Sequence, residues 1–97
     1  MAPSSPPAFR ENVVVLTGAS AGIGRSLAVQ LAAQGAWLVL AARGAAALEG
    51  VAADCRLAGA RTVTVPTDVG DEAQCARLVE RAVAEFGRVD TPVNNAG

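Results

Sequence analysis

Tyrosine, lysine and histidine are absent from this sequence. All eight basic residues are arginine, which stays protonated at any working pH and is a poor general base. Nine carboxylates and two thiols are the usual proton-transfer groups that remain. Cysteine is scarce as well. Cys55 and Cys75 form no Cys-x-x-Cys pair, so with no histidine the sequence offers no metal-ligating cluster. Two such thiols are expected to be reduced and packed as small apolar groups, as in a cytoplasmic protein. The net charge is only −1, with no basic run, which argues against nucleic acid and anionic membrane as partners. No apolar run approaches the roughly 20 residues that span a bilayer. The opening Met1-Ala2-Pro3-Ser4-Ser5-Pro6-Pro7 lacks the basic region and apolar core of a secretory signal. Residues 1–11 read as a disordered lead.

What is present is a regular alternation of short apolar runs and longer amphipathic segments. The 97 residues suffice for one small domain, expected over residues 12–97. Val13-Val14-Val15-Leu16 opens a first strand, its unbroken apolar run suited to burial on both faces of a parallel sheet. A helix is expected over residues 22–34, with Ile23, Leu27, Val29 and Leu31 on its apolar face and Gly35 as its stop. Residues 36–42, centred on Trp37-Leu38-Val39-Leu40, read as a second strand. An alanine-rich helix follows over residues 44–57, ended by Gly59. Thr62-Val63-Thr64-Val65 is a β-branched third strand. The last helix begins at Gly70-Asp71-Glu72, with acids favourably placed against the helix dipole. Its expected core stripe is Cys75, Val79, Ala82 and Phe86, and Gly87 ends it. Residues 89–93 form a fourth strand. Short connections and right-handed crossovers then give a parallel sheet.

Between the first strand and first helix lies Thr17-Gly18-Ala19-Ser20-Ala21-Gly22-Ile23-Gly24. Strand, glycine turn and helix in that order place a pyrophosphate on a helix N-terminus in a dinucleotide-binding fold. Gly18 lets the chain leave the strand in a conformation that a Cβ would penalise. Gly22 leaves room for a phosphate to approach the backbone, and Gly24 lets the helix pack close to the strand. The unpaired N–H groups of the first helical turn, together with the helix dipole, attract the anion.

A glycine triplet alone is a weak signal, but its spacing is Gly-x-x-x-Gly-x-Gly. Asp68-Val69 follows the third strand and Asn94-Asn95-Ala96-Gly97 the fourth. With these three motifs in order, the chain resembles the short-chain dehydrogenase/reductase family over nearly its whole length. The resemblance implies an α/β fold, a Rossmann-type doubly wound parallel sheet stopping after its fourth strand, in the order 3-2-1-4. It implies a nicotinamide dinucleotide as cofactor. Gly18, Ser20, Gly22, Ile23 and Gly24 would hold its phosphates, through the Ser20 hydroxyl and the Ile23 backbone among others. Asp68, with Val69 beside it, would accept a hydrogen bond from the adenine amino group. Asn95, Ala96 and Gly97 would lie along the cofactor, Ala96 and Gly97 at the nicotinamide-side ribose, while Asn94 braces the sheet centre.

The end of the second strand carries the cofactor choice. A dinucleotide fold often places an acid there to bind the adenosine ribose diol. Here Ala42 takes that place and Arg43 follows. An arginine can grip a 2′-phosphate with charge-assisted bidentate bonds, so NADP(H) is expected over NAD(H). Two departures from the family pattern stand out. Ala21 replaces the second basic residue that NADP-preferring relatives often carry, and Pro92 replaces an aliphatic residue, removing a backbone donor from a strand.

In the family, hydride transfer is coupled to proton transfer by a Tyr, a Lys four residues beyond it and a Ser, all downstream of the Asn-Asn-Ala-Gly motif. The 97 residues contain no such pair, and Ser4, Ser5, Ser20 and Ser26 lie in the wrong half. No catalytic residue is therefore expected here. The leading reading is the cofactor-binding half of an oxidoreductase whose parent interconverts alcohols and carbonyls, acts on a small-molecule substrate and is a homo-oligomer. The alternative is a non-catalytic nucleotide-binding or interaction module. A P-loop phosphotransferase fails because no Gly-Lys-Ser/Thr follows the glycines. A methyltransferase on a related sheet does not explain the Asn-Asn-Ala-Gly tetrapeptide. With a fourth strand at an open edge, the isolated chain is expected to be marginally stable or prone to association.

Overall fold

The computed structural model describes residues 10–20 and 22–95. Seven elements follow one another: β1 (Val13–Thr17), α1 (Gly22–Ala33), β2 (Trp37–Ala42), α2 (Ala45–Leu57), β3 (Thr62–Pro66), α3 (Glu72–Phe86) and β4 (Thr91–Asn94). The four strands form one parallel sheet in the order β3-β2-β1-β4. The expected lead lies outside the described residues up to residue 9. Arg10 and Glu11 form a turn tied to the fold, with Glu11 N–H donating to the Gly35 carbonyl at 2.8 Å and Arg88 donating to the Glu11 carbonyl at 2.7 Å.

The unbroken apolar runs are explained by two cores, one on each face of the sheet. Side chains alternate along a strand. Val14, Leu16, Leu38 and Leu40 point to one side and pack with Ala28 and Leu31 of α1 and Leu48, Val51 and Cys55 of α2. Val13, Val15, Val39 and Ala41 point to the other and pack with Leu78, Ala82 and Phe86 of α3. Every residue of β1 before Thr17 is buried, so polar alternation would have left one core incomplete.

The helix faces differ in detail from the sequence expectation. In α1 the buried residues are Gly24, Ala28, Leu31 and Ala32, while Ile23 is 77% exposed and Leu27 and Val29 only flank the core. Gly24 sits hard against the loop that follows β1. That anchor turns positions 24, 28 and 31 inward and Ile23 outward. In α3 the core stripe is Leu78, Ala82 and Phe86; Val79 is half exposed and Cys75 half-buried. Two end signals fix α3. The Asp71 carboxylate accepts the N–H groups of Ala73 and Gln74 at 2.9 and 3.2 Å, filling two of the orphan donors of the first turn. Gly87, at φ 83°, closes the other end with its N–H on the Val83 carbonyl at 2.7 Å.

β4 begins at Thr91 rather than at Val89. The preceding Asp90 is held in a bend. Its N–H donates to the Val13 carbonyl at 2.9 Å, and its carboxylate accepts the Val13 N–H and the Arg88 guanidinium, both at 2.8 Å. The Val13 N–H and then Arg88 hold this carboxyl below its ordinary range. Pro92 pairs opposite Val15. The Trp37 N–H bonds the Asn12 carbonyl at 2.9 Å, so β1 turns its even-numbered backbone groups to β2 and its odd ones to β4. Val15 therefore reaches the residues on either side of Pro92. The proline nitrogen faces the outer edge, and the ladder to β1 loses no bond.

Candidate functional site

The four motifs converge because all four strands run the same way. Gly18, Arg43, Asp68 and Asn95 each follow the C-terminal end of a strand, the edge at which open parallel sheets bind ligands. Gly18 leaves β1 at φ 65° and Gly22 enters α1 at φ 58°, both in the left-handed region that a side chain disfavours. A Cβ at Gly22 would meet nothing within 4 Å among the described residues, so they leave the approach to the backbone open. Gly24 is the opposite case: its Cβ would lie 1.9 Å from the Gly18 carbonyl oxygen and 2.7 Å from Asn95 Nδ2. The first turn of α1 carries no acid, which leaves the positive end of its dipole uncompensated for an anion. Ser20 is half-buried and Ile23 exposed beside this turn.

The loop is clipped to β4 by one hydroxyl. Thr17 Oγ1 lies 3.0 Å from Asn94 Oδ1 and accepts the Asn95 N–H at 3.2 Å. Asn95 Nδ2 in turn donates to the Gly18 carbonyl at 3.4 Å. Asn94 and Asn95 thus brace the meeting point of β1, the glycine loop and β4. Thr17 is the residue that sequence reasoning left out of the site, although it opens the glycine motif. Ala96 and Gly97, expected at the nicotinamide end, lie outside the described residues, as does Ala21.

At the other end of the site, β2 and β3 finish side by side with Ala42 opposite Pro66. The Thr67 N–H donates to the Ala42 carbonyl at 2.8 Å, holding the two loops together. Arg43 and Asp68 meet there, Nη2 to Oδ1 at 3.2 Å. The same Oδ1 accepts the Gly70 N–H at 2.9 Å, and the Asp68 N–H donates to Gln74 Oε1 at 2.8 Å. The Gly70 N–H, followed by Arg43, keeps the Asp68 carboxyl below the usual carboxylate range, so it is ionised at neutral pH and a ready acceptor. Val69 is exposed beside it and borders an apolar cleft of about 260 Å³ that runs between α3 and the β1–β4 edge, past Thr17, Leu78 and Val93.

The two thiols are free. Burial pushes Cys55 up to about 11, which keeps it protonated and unreactive. Cys75 donates to the Val69 carbonyl at 3.4 Å. Among the described residues no helix is long and apolar enough to cross a membrane.

A family model described as short chain dehydrogenase matches residues 12–97. The chain belongs to the short-chain dehydrogenase family. It is 49% identical over 86 residues to 11-beta-hydroxysteroid dehydrogenase A of Sesamum indicum, covering 88% of this chain and 25% of that protein. The hydroxysteroid dehydrogenase structure from Escherichia coli superposes with a TM-score of 0.89 at 31% identity, over 92% of this chain and 38% of that one. A structure of NAD⁺-bound xylitol dehydrogenase gives 0.89 at 33% identity, over 93% of this chain and 35% of that one. The chain thus spans a quarter to little more than a third of the length of these short-chain dehydrogenases. The order β3-β2-β1-β4 is the family's sheet, and nicotinamide dinucleotides are the cofactors this oxidoreductase family binds.

Proposed function

We propose that this chain is the NADP(H)-binding half of a short-chain oxidoreductase whose whole protein interconverts an alcohol and a carbonyl on a small molecule. The observation that carries the cofactor choice is the end of β2. Ala42 presents no carboxylate to a ribose diol, and the Arg43 side chain beside it is 80% exposed, within reach of a 2′-phosphate once it leaves Asp68. The pyrophosphate is assigned to the turn of Gly18, Ser20, Gly22, Ile23 and Gly24, where open backbone and the N-terminus of α1 meet. Asp68 and Val69 take the adenine. Asn95 lies along the cofactor, held in place by Thr17, and Ala96 and Gly97 take the nicotinamide-side ribose.

When bound, the nicotinamide would give hydride to a carbonyl or take it from an alcohol. The residues of this chain bind and orient it; no Tyr or Lys is present to move the accompanying proton. The proton-transfer groups of the whole protein are therefore assigned to residues outside these 97, and the whole protein is proposed to be a homo-oligomer. A cytoplasmic location fits the two free thiols.

The test is Arg43→Ala, with NADPH and NADH titrated separately. Hydrogen bonds to a charged group are worth about 1.5–3 kcal/mol, so the preference for NADPH should fall roughly 10- to 100-fold. A preference that survives the substitution would remove Arg43 from the assignment.

A further inference from the structure

Arg43 and Asp68 are assigned to different parts of the nucleotide, the 2′-phosphate and the adenine amino group, yet they are bonded to each other at 3.2 Å. We propose that this ion pair is a latch across the adenosine end of the site, which a 2′-phosphate opens. The latch rests on the NADP(H) reading above and adds to it a coupling between recognition of the phosphate and of the base.

The two partners are held very differently. The Asp68 carboxylate is fixed from behind by the Gly70 N–H on Oδ1 at 2.9 Å, and its backbone by Gln74 Oε1 at 2.8 Å. Arg43 is long and largely exposed, and among the described residues this is its one ion pair. Asp68 is thus the fixed post and Arg43 the moving arm. With the arm closed, the guanidinium lies against the carboxylate that is to accept the adenine amino group and offsets its charge, which makes it a weaker acceptor. A phosphate carries more charge than a carboxylate and offers the guanidinium two parallel bonds, so it draws Arg43 away. The carboxylate is then left to the base. A dinucleotide without the 2′-phosphate has no such lever and meets an Asp68 whose charge Arg43 still offsets.

The consequence has a sign that simple phosphate gripping does not share: removing Arg43 should improve binding of the unphosphorylated dinucleotide. The experiment uses the 97-residue chain and four probes, NADP⁺, NAD⁺ and their hypoxanthine counterparts, which lack the amino group. Exposed ion pairs are weak, so the effects are modest but readable. Loss of the amino group should cost about two- to fivefold more affinity in the 2′-phosphorylated pair than in the unphosphorylated pair. In Arg43→Ala that excess should vanish, and NAD⁺ should bind about two- to fivefold more tightly while NADP⁺ binds more weakly. Position 43 is exposed, so the variant is expected to fold as the wild type does. Equal amino-group costs in the wild type would overturn the latch, as would NAD⁺ affinity that is unchanged or lower in Arg43→Ala. A wild type without any preference for NADP⁺ would overturn the NADP(H) reading instead. Failure of the chain, shown by circular dichroism to be folded, to bind any of the four probes would overturn both.

Discussion

A single methyl group at position 24 is expected to abolish nucleotide binding and to cost about 2–3 kcal/mol of stability. The ideal Cβ of Gly24→Ala would sit 1.9 Å from the Gly18 carbonyl oxygen and 2.8 Å from its carbon. Both are backbone atoms, so neither can swing aside as a side chain would. Asn95 Nδ2, at 2.7 Å, blocks the remaining direction. The start of α1 must therefore lift off the sheet, drawing Ala28 and Leu31 out of the core and moving the N–H groups assigned to the pyrophosphate. Gly50→Ala is the matched control. It lies in the middle of α2, where an added Cβ meets nothing within 4 Å among the described residues, and should stabilise by about 0.5–1 kcal/mol because alanine is the better helix former. Urea unfolding of the two variants, with NADPH titration of each, separates close packing from any general effect of losing a glycine. A Gly24→Ala chain as stable as the wild type would contradict the packing account.

The second large effect is expected at the centre of the sheet. Leu16 is fully buried in β1, paired with Leu40 on one side and Val93 on the other. It packs in the core that α1 and α2 cover. Leu16→Ala removes three carbons from a site that backbone pairing on both sides prevents from collapsing, and should cost about 2–5 kcal/mol. A chain of this length has only about 5–15 kcal/mol in total. The variant should therefore unfold at markedly lower urea, and a loss below about 1 kcal/mol would show that this strand is not the core of the fold.

Much of the architecture was legible because the apolar runs are nearly continuous. Val13-Val14-Val15-Leu16 and Trp37-Leu38-Val39-Leu40 leave no polar face, so both faces of their sheet have to be covered. The strand order itself came from the resemblance, since alternation alone does not say which strands are neighbours. Helix faces were read less well, and for a physical reason. Hydrophobicity suggested Ile23 and Val79 as inward residues, but the rotation of α1 is set by Gly24 against the Gly18 carbonyl. In α3 it is Leu78, Ala82 and Phe86 that meet the sheet. Where β4 starts was also hidden, because Asp90 spends its carboxylate on the Val13 N–H, a bond between residues 77 apart in sequence. The same holds for the candidate site. Motif spacing located the glycine loop, Asp68 and Asn95. The Thr17 clip to Asn95 and the meeting of Arg43 with Asp68 are contacts between distant residues, and only the folded chain brings them together.

The central claim is that these residues fold into a nucleotide-binding unit that prefers NADP(H). Its most direct test is titration of the wild-type 97-residue chain with NADPH and with NADH, followed by nicotinamide fluorescence, on protein shown by circular dichroism and urea unfolding to be folded. The account predicts saturable binding of NADPH at least about tenfold tighter than of NADH. A folded chain that leaves both fluorescence signals unchanged, or that binds the two equally, would contradict it.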